Sequence, residues 1–185
     1  MRTLAWLELL FLWSVWWAAY FGRAPKFQKR KSVTAAGATR LGLLGEMGGL
    51  FLIFLFQTDG APRTAPGLLI AAALLGVAAD VLMWKAVAHL GRQFRISAGL
   101  YEDHQLVRTG PYGLVRHPIY TSFLSLTSAT GLLLTRWPWL AISLLLFLAG
   151  TEIRARAEDR LLESRFGAGF TEYKKEVPAY LPFVR

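Results

Sequence analysis

The chain has no cysteine among its 185 residues, which rules out disulfides, thiolate metal sites and cysteine nucleophiles but leaves its compartment open. Histidine is scarce as well. His89, His104 and His117 have no ligand spacing on a common helix face, so no metal centre is expected. Acidic side chains are few, 12 Asp and Glu against 21 Lys and Arg, and a net charge of +9 would suit a nucleic-acid partner if the basic residues formed a face. They instead fill the gaps between apolar runs, so no nucleic-acid partner is expected. There is no internal repeat and no low-complexity tail. What the chain has in excess is apolar surface. With 54% hydrophobic residues and a positive mean hydropathy it is too apolar for an ordinary soluble domain, and a single membrane domain over 1–185 is the natural reading.

Residues 4–21, 41–57, 66–90 and 137–153 are long enough, or nearly so, to cross ~30 Å of hydrocarbon at ~1.5 Å per residue, and 119–134 is a shorter fifth candidate. The expected fold is all-α, a bundle of about five transmembrane helices, with helices one to three within 1–90 and four and five within 91–185. The first run exceeds a signal-peptide core and is followed by a basic segment, so it is read as a retained helix. Every Lys and Arg except Arg2, Arg63 and Arg136 falls at one set of helix ends. The positive-inside rule then puts the N-terminus outside and the C-terminus in the cytosol. Segment 23–40 becomes a basic cytosolic loop, suited to anionic headgroups at roughly 1 kcal/mol per basic residue, or to substrate recognition.

Within the helices, Gly45 and Gly49 form a small-xxx-small pair that lets another helix approach, and Glu46 between them is the unusual member. Asp80 and Lys85 sit near the cytosolic half of helix three, where snorkelling and a polar partner account for them as well as a catalytic role does. The Ser and Thr residues from Thr121 to Thr130 suit helix packing or a cavity wall. Trp13, Trp16, Trp17, Trp137 and Trp139 read as interface anchors or as packing residues. Only 135–138 separate the last two runs, so helices four and five should form a tight antiparallel hairpin on the outer side.

Two cytosolic segments hold more His, Tyr, Arg and Glu than topology requires: 104–120 (HQLVRTGPYGLVRHPIY) and 154–183. In the first, a Gly-Pro turn precedes Arg116-His117-Pro118, with Pro118 at the start of helix four, where a missing N–H is harmless. That helix start could hold a carboxylate beside His117 and Tyr120, or Gly110, Pro111 and Pro118 could simply shape a loop. In the second, a helix continues out of the membrane with Arg154 and Glu158 as i, i+4 neighbours and Leu161, Leu162 and Phe166 as an apolar face. Gly167 and Gly169 end it, and Phe170, Tyr173 and Val177 continue the spacing in a short helix closed by Pro178.

The ordered set Leu90-Gly91-Arg92, Leu106-Val107, Gly110-Pro111-Tyr112 and Arg116-His117-Pro118-Ile119-Tyr120, then Arg154, Glu158-Asp159, Phe166-Gly167, Tyr173, Val177-Pro178 and Leu181-Pro182-Phe183, resembles the isoprenylcysteine carboxyl methyltransferase family. The resemblance covers the C-terminal half; the first three helices match only in kind. It implies that S-adenosylmethionine is held by His104, Gln105, Leu106 and Val107, by Tyr112, by His117, Pro118, Ile119 and Tyr120, and by Glu158. It further implies that Arg154 faces a substrate carboxylate, making Arg154 and Glu158 the catalytic pair and a lipid or prenylated molecule the partner. Two departures stand out: Asp159 replaces a usual second Glu, and Ser97 replaces an amide side chain.

A carboxylate acceptor is already ionised near pH 7, so such a site needs alignment and dehydration rather than a general base. Tyr112 and Tyr120 offer aromatic faces to a sulfonium. Competing readings are an amine-methylating phospholipid enzyme, which needs a base, a sterol-type reductase with a nicotinamide cofactor, and a non-catalytic membrane subunit.

Overall fold

The computed structural model describes residues 2–22, 32–34, 36–58, 62–94, 99–101 and 103–182. Six α-helices appear among them: α1 (Arg2–Gly22), α2 (Ala36–Leu55), α3 (Pro66–Leu90), α4 (Pro118–Leu134), α5 (Trp137–Phe166) and α6 (Ala168–Glu176). Two three-residue strands, β1 (Ser32–Thr34) and β2 (Gly99–Tyr101), pair antiparallel with Ser32 opposite Tyr101, a small addition to the all-α expectation. Most of the basic 23–40 loop, Ser97 and Phe183 lie outside the described residues.

Helices α1, α2, α3 and α5 are long and apolar enough to cross a membrane. The chain is therefore a multi-pass helical membrane protein, with four such helices among the described residues. The fifth candidate, α4, has 17 residues and is about 25 Å long, shorter than an ordinary span. Its burial explains the difference. Eleven of its residues are buried, among them Leu126, Ala129 and Leu133, so α4 is the helix the others surround, whereas Leu10, Phe11, Leu44, Leu74 and Leu145 of the longer helices face outward.

The two-residue turn Thr135-Arg136 joins α4 to α5 as the expected antiparallel hairpin, with Phe123 against Phe147 and Tyr120 bonded to Glu158 along it. The more extensive packing is of α5 on α2 and of α4 on α3. The reason is glycine on both helices of the first pair. A Cβ added at Gly45 would lie 2.8 Å from the Cα of Gly150, and one at Gly49 would lie 2.9 Å from the Phe147 nitrogen. Two backbones approach this closely only where neither carries a side chain, as the small-xxx-small pair predicts.

The Ser and Thr residues of α4 serve packing. Trp13 Nε1 donates to Thr130 Oγ1 at 3.1 Å, Trp16 Nε1 donates to Ser122 Oγ at 3.1 Å, and Ser125 Oγ donates to the Leu75 carbonyl at 2.8 Å. Trp13 and Trp16 are thus packing residues, and Trp17 faces outward. At the end of the bundle away from α6, Trp139 stacks on Phe56 with ring centroids 3.6 Å apart. The Arg63 guanidinium lies 5.6 Å from the Trp137 ring, and the Thr58 and Arg63 amides donate to the carbonyls of Leu134 and Leu133.

Alanine at Gly45 or Gly150 is expected to lower the thermal midpoint of the detergent-solubilised protein by the equivalent of about 1–3 kcal/mol. Alanine at Gly37, whose added Cβ meets nothing within 4 Å, should leave it unchanged or higher. Equal midpoints for the three variants would show that α2 and α5 are not in contact.

Candidate active site

The segment between α3 and α4 is folded tightly because its turn is built on glycine and proline. Gly110 has φ of 61°, a left-handed conformation that a side chain disfavours, and an added Cβ there would collide with the His89 ring. Pro111 and Tyr112 follow in a 3₁₀ turn, both buried, and the Tyr112 carbonyl accepts a 2.6 Å hydrogen bond from the Tyr173 hydroxyl of α6. Pro118 begins α4 as expected. At the other end of the site, α5 runs unbroken through Arg154 and Glu158 to Phe166, and Gly167, at φ of 52°, turns the chain into α6. Phe170, Tyr173 and Val177 then pack against Leu106, Leu162 and Phe166.

The strand of chain after α6 is tied to the start of α4. The amides of Arg116 and His117 donate to the carbonyls of Pro178 and Ala179, each at 2.8 Å, and Thr121 Oγ1 donates to the Tyr180 carbonyl at 2.6 Å. The main-chain donors of Arg116 and His117 are therefore engaged within the protein.

Their side chains belong to a charged cluster. His117, at 5% exposure, sits between two carboxylates: Nδ1 is 3.3 Å from Glu158 Oε2 and Nε2 is 2.9 Å from Asp159 Oδ1. Asp159 Oδ2 also accepts from Arg116 Nη2 at 2.9 Å, and Arg116 Nη1 donates to the Lys174 and Val177 carbonyls. Tyr120 OH donates to Glu158 Oε1 at 2.6 Å. Burial alone would lower the His117 pKa, but the hydrogen bonds and charges of Asp159 and Glu158 outweigh it and raise the value to about 9. Burial keeps the Tyr112 phenol well above its usual range and hence protonated.

Arg154 and Glu158, the i, i+4 neighbours, share the face of α5 that lines the cleft without forming an ion pair with each other. Arg154 Nη1 donates instead to Glu46 Oε2 of α2, and its guanidinium carbon lies 4.7 Å from the Tyr120 ring centroid. The His117 and Tyr120 rings are 5.5 Å apart, so the Tyr120 ring already has two cationic neighbours before any ligand is considered. Glu158 is the most accessible of these carboxylates, its side chain 27% exposed against 9% for Asp159 and none for Glu46.

The residues that the sequence marked for a cofactor and an acceptor meet here. His104, Gln105, Leu106, Val107, Tyr112, His117, Pro118, Ile119, Tyr120, Arg154 and Glu158 line one open cleft, whose empty space is about 910 Å³ with its mouth included. The sequence reading missed Gln93, Tyr20 and Arg116 in the lining, and the ties that Glu46 and Asp159 make to it. One signal for Glu46 was present: a carboxylate in a glycine-rich apolar helix needs a buried cation. Among the described residues no cluster of His, Asp and Glu is arranged to hold a metal.

The fold and this site define a multi-pass helical membrane protein with a charged, open cleft at one end of its bundle. Residues 71–164 match the isoprenylcysteine carboxyl methyltransferase family, and the chain belongs to it. The Saccharomyces cerevisiae protein-S-isoprenylcysteine O-methyltransferase is 37% identical over 82 residues, covering 44% of this chain and 34% of the yeast one. The Schizosaccharomyces pombe enzyme of that name is 32% identical over 102 residues, 54% of this chain and 43% of its own. The cobalt-zinc-cadmium resistance protein CzcN of Cupriavidus metallidurans is 32% identical over 117 residues, 62% of this chain and 50% of its own. The chain thus spans half or less of the length of these relatives.

Because the folded pKa of His117 lies above the unfolded value, its contribution to stability is full below about pH 6.5 and is lost as pH rises through about 9. The thermal midpoint of the detergent-solubilised protein should therefore fall between pH 7 and 10, and His117→Gln should remove much of that fall. A pH profile identical in the two proteins would mean that His117 carries no excess proton.

Proposed function

We propose that this chain transfers a methyl group from S-adenosylmethionine to the carboxylate of a prenylcysteine or similar isoprenoid acid. The observation that carries the reading is the convergence of the family's motif residues on one cleft that also contains Arg154 and Glu158. S-adenosylmethionine supplies an electrophilic methyl on a sulfonium.

The residues fit such a donor. Glu158 is a reachable carboxylate, and Gln93 Oε1 lies buried in the cleft with no donor among the described residues, so both can accept from amino or hydroxyl groups. Leu106, Val107, Leu161 and Leu162 give the cleft apolar walls that exclude water. Arg154, with donors beyond the one given to Glu46, orients the acceptor carboxylate.

The charge arrangement favours an anionic acceptor over an amine. An amine must lose a proton to a base, yet around Arg154 and Tyr120 the carboxylates Glu46, Glu158 and Asp159 are each held by a cation and His117 already carries a proton at neutral pH. A carboxylate asks only for alignment and dehydration.

The same proposal puts the cleft end in the cytosol and the N-terminus outside. The ends of α1 and α3, the start of α4 and the last turns of α5 share that end, with Arg92, Arg116, Arg160 and Lys174, while Arg2, Arg63 and Arg136 lie at the other ends of their helices. A lipid tail enters from the bilayer between helices, because crossing water costs ~0.8 kcal/mol per exposed CH₂.

Isothermal titration of the detergent-purified protein should give saturable S-adenosylmethionine binding, weakened about tenfold or more in folded His117→Ala and Glu158→Ala variants. Binding of a nicotinamide cofactor alone would support a reductase. Binding of neither would support a non-catalytic subunit.

A further inference from the structure

We propose that Glu46 is a positioning residue that fixes the guanidinium of Arg154 in the cleft and so sets the site's grip on an anionic acceptor. The inference rests on the carboxyl-methylation reading above. Glu46 has no exposed surface, and both of its oxygens are engaged by α5: Oε1 accepts from Thr151 Oγ1 at 3.1 Å and Oε2 from Arg154 Nη1. Thr151 and Arg154 are three residues apart and so share one helix face, which directs a single carboxylate at both. The residue lies on α2, outside the 71–164 region matched by the family.

The surroundings of Arg154 explain why a second anchor is needed. Gly42, one turn before Glu46, gives room to the Arg154 stem, since a Cβ at that position would overlap Arg154 Cγ. The guanidinium then rests near Tyr120, a contact that limits its tilt but not its rotation in the plane of the fork. Glu46 supplies that missing constraint by holding Nη1. It leaves a donor uncommitted: Arg154 Nη2 meets no acceptor among the described residues, and the side chain keeps some exposure to the cleft. A guanidinium fixed at one nitrogen and open at another is ready to receive a carboxylate in one orientation. Glu46 also balances the Arg154 charge when the acceptor is absent, so the cleft does not need a resident anion.

A purely structural α2–α5 tie predicts something different. Its loss would lower stability and affect all ligands alike, whereas a positioning role acts on the acceptor carboxylate and only through Arg154. The test uses the full chain in detergent with Glu46→Gln, Thr151→Val, Arg154→Gln and the Glu46→Gln/Arg154→Gln double variant. The probes are S-adenosylmethionine, a prenylcysteine acid and the corresponding carboxamide.

Glu46→Gln should lower acceptor kcat/KM, and the preference in binding for the acid over the carboxamide, by about tenfold. Donor Kd should stay within about twofold, and Glu46→Gln should add nothing in the Arg154→Gln background. Thr151→Val should shift the same quantities in the same direction by less. Unchanged acid preference, an equal loss of donor affinity, or additive losses in the double variant would overturn the proposal. So would a wild-type protein that binds acid and carboxamide equally. If Glu46→Gln does not fold, Thr151→Val with unaltered acid preference overturns it in the same way. Failure of the wild type to transfer methyl while it still prefers the acid would instead defeat the methyl-transfer reading and leave the role of Glu46 standing.

Discussion

Three cations and three carboxylates are packed at one end of this bundle, and each is tolerable there because the others are present. Arg116, His117 and Arg154 face Glu46, Glu158 and Asp159, with Asp159 shared between Arg116 and His117. An unpaired charge in so enclosed a place costs several kcal/mol, and removing one member of a buried pair strands the other at a cost of roughly 3–5 kcal/mol. The network therefore dictates how the elements meet. The start of α4 must lie against the last turns of α5, and α2 must approach α5 closely enough for Glu46 to reach Arg154. The glycines at 45, 49 and 150 permit that approach, and the chain after α6 closes over the junction through the Pro178, Ala179 and Tyr180 carbonyls.

The same network divides the labour within the cleft. Asp159 and Arg116 are turned inward on His117 and the C-terminal segment, which leaves Glu158 as the carboxylate that a ligand can reach. Tyr120 touches Glu158 through its hydroxyl and Arg154 through its ring, so it couples the two residues that α5 presents one turn apart. On the proposed reading the cleft combines acceptors for a cationic cofactor with a guanidinium for an anionic acceptor. That combination is what in-line transfer between oppositely charged partners needs.

Much of this was legible in the sequence for physical reasons. The helices announced themselves as apolar runs, and the Gly-Pro turn, the Pro118 helix start and the Gly167 break lie where backbone geometry demands those residues. The small-xxx-small pair forecast a close helix contact, although not that α5 would make it. Three features were hidden. That the short α4 would be the helix the others enclose was not visible, because composition does not tell a lipid-facing helix from one enclosed by its neighbours. The partner of Arg154 was not foreseen, because the carboxylate that holds its guanidinium lies 108 positions away in sequence on another helix. The Pro178 and Ala179 carbonyls could not be foreseen as partners of the α4 start, because main-chain hydrogen bonds between distant segments leave no residue signature.

The most direct test of the central claim is photolabelling of the detergent-purified protein with S-adenosylmethionine carrying a tritiated methyl group, followed by peptide mapping. Label confined to peptides containing 90–120 and 154–173, and competed away by S-adenosylhomocysteine, is the result expected if the charged cleft is the methyl-donor site. Competed label confined to other peptides, or no competed label at all, would contradict it.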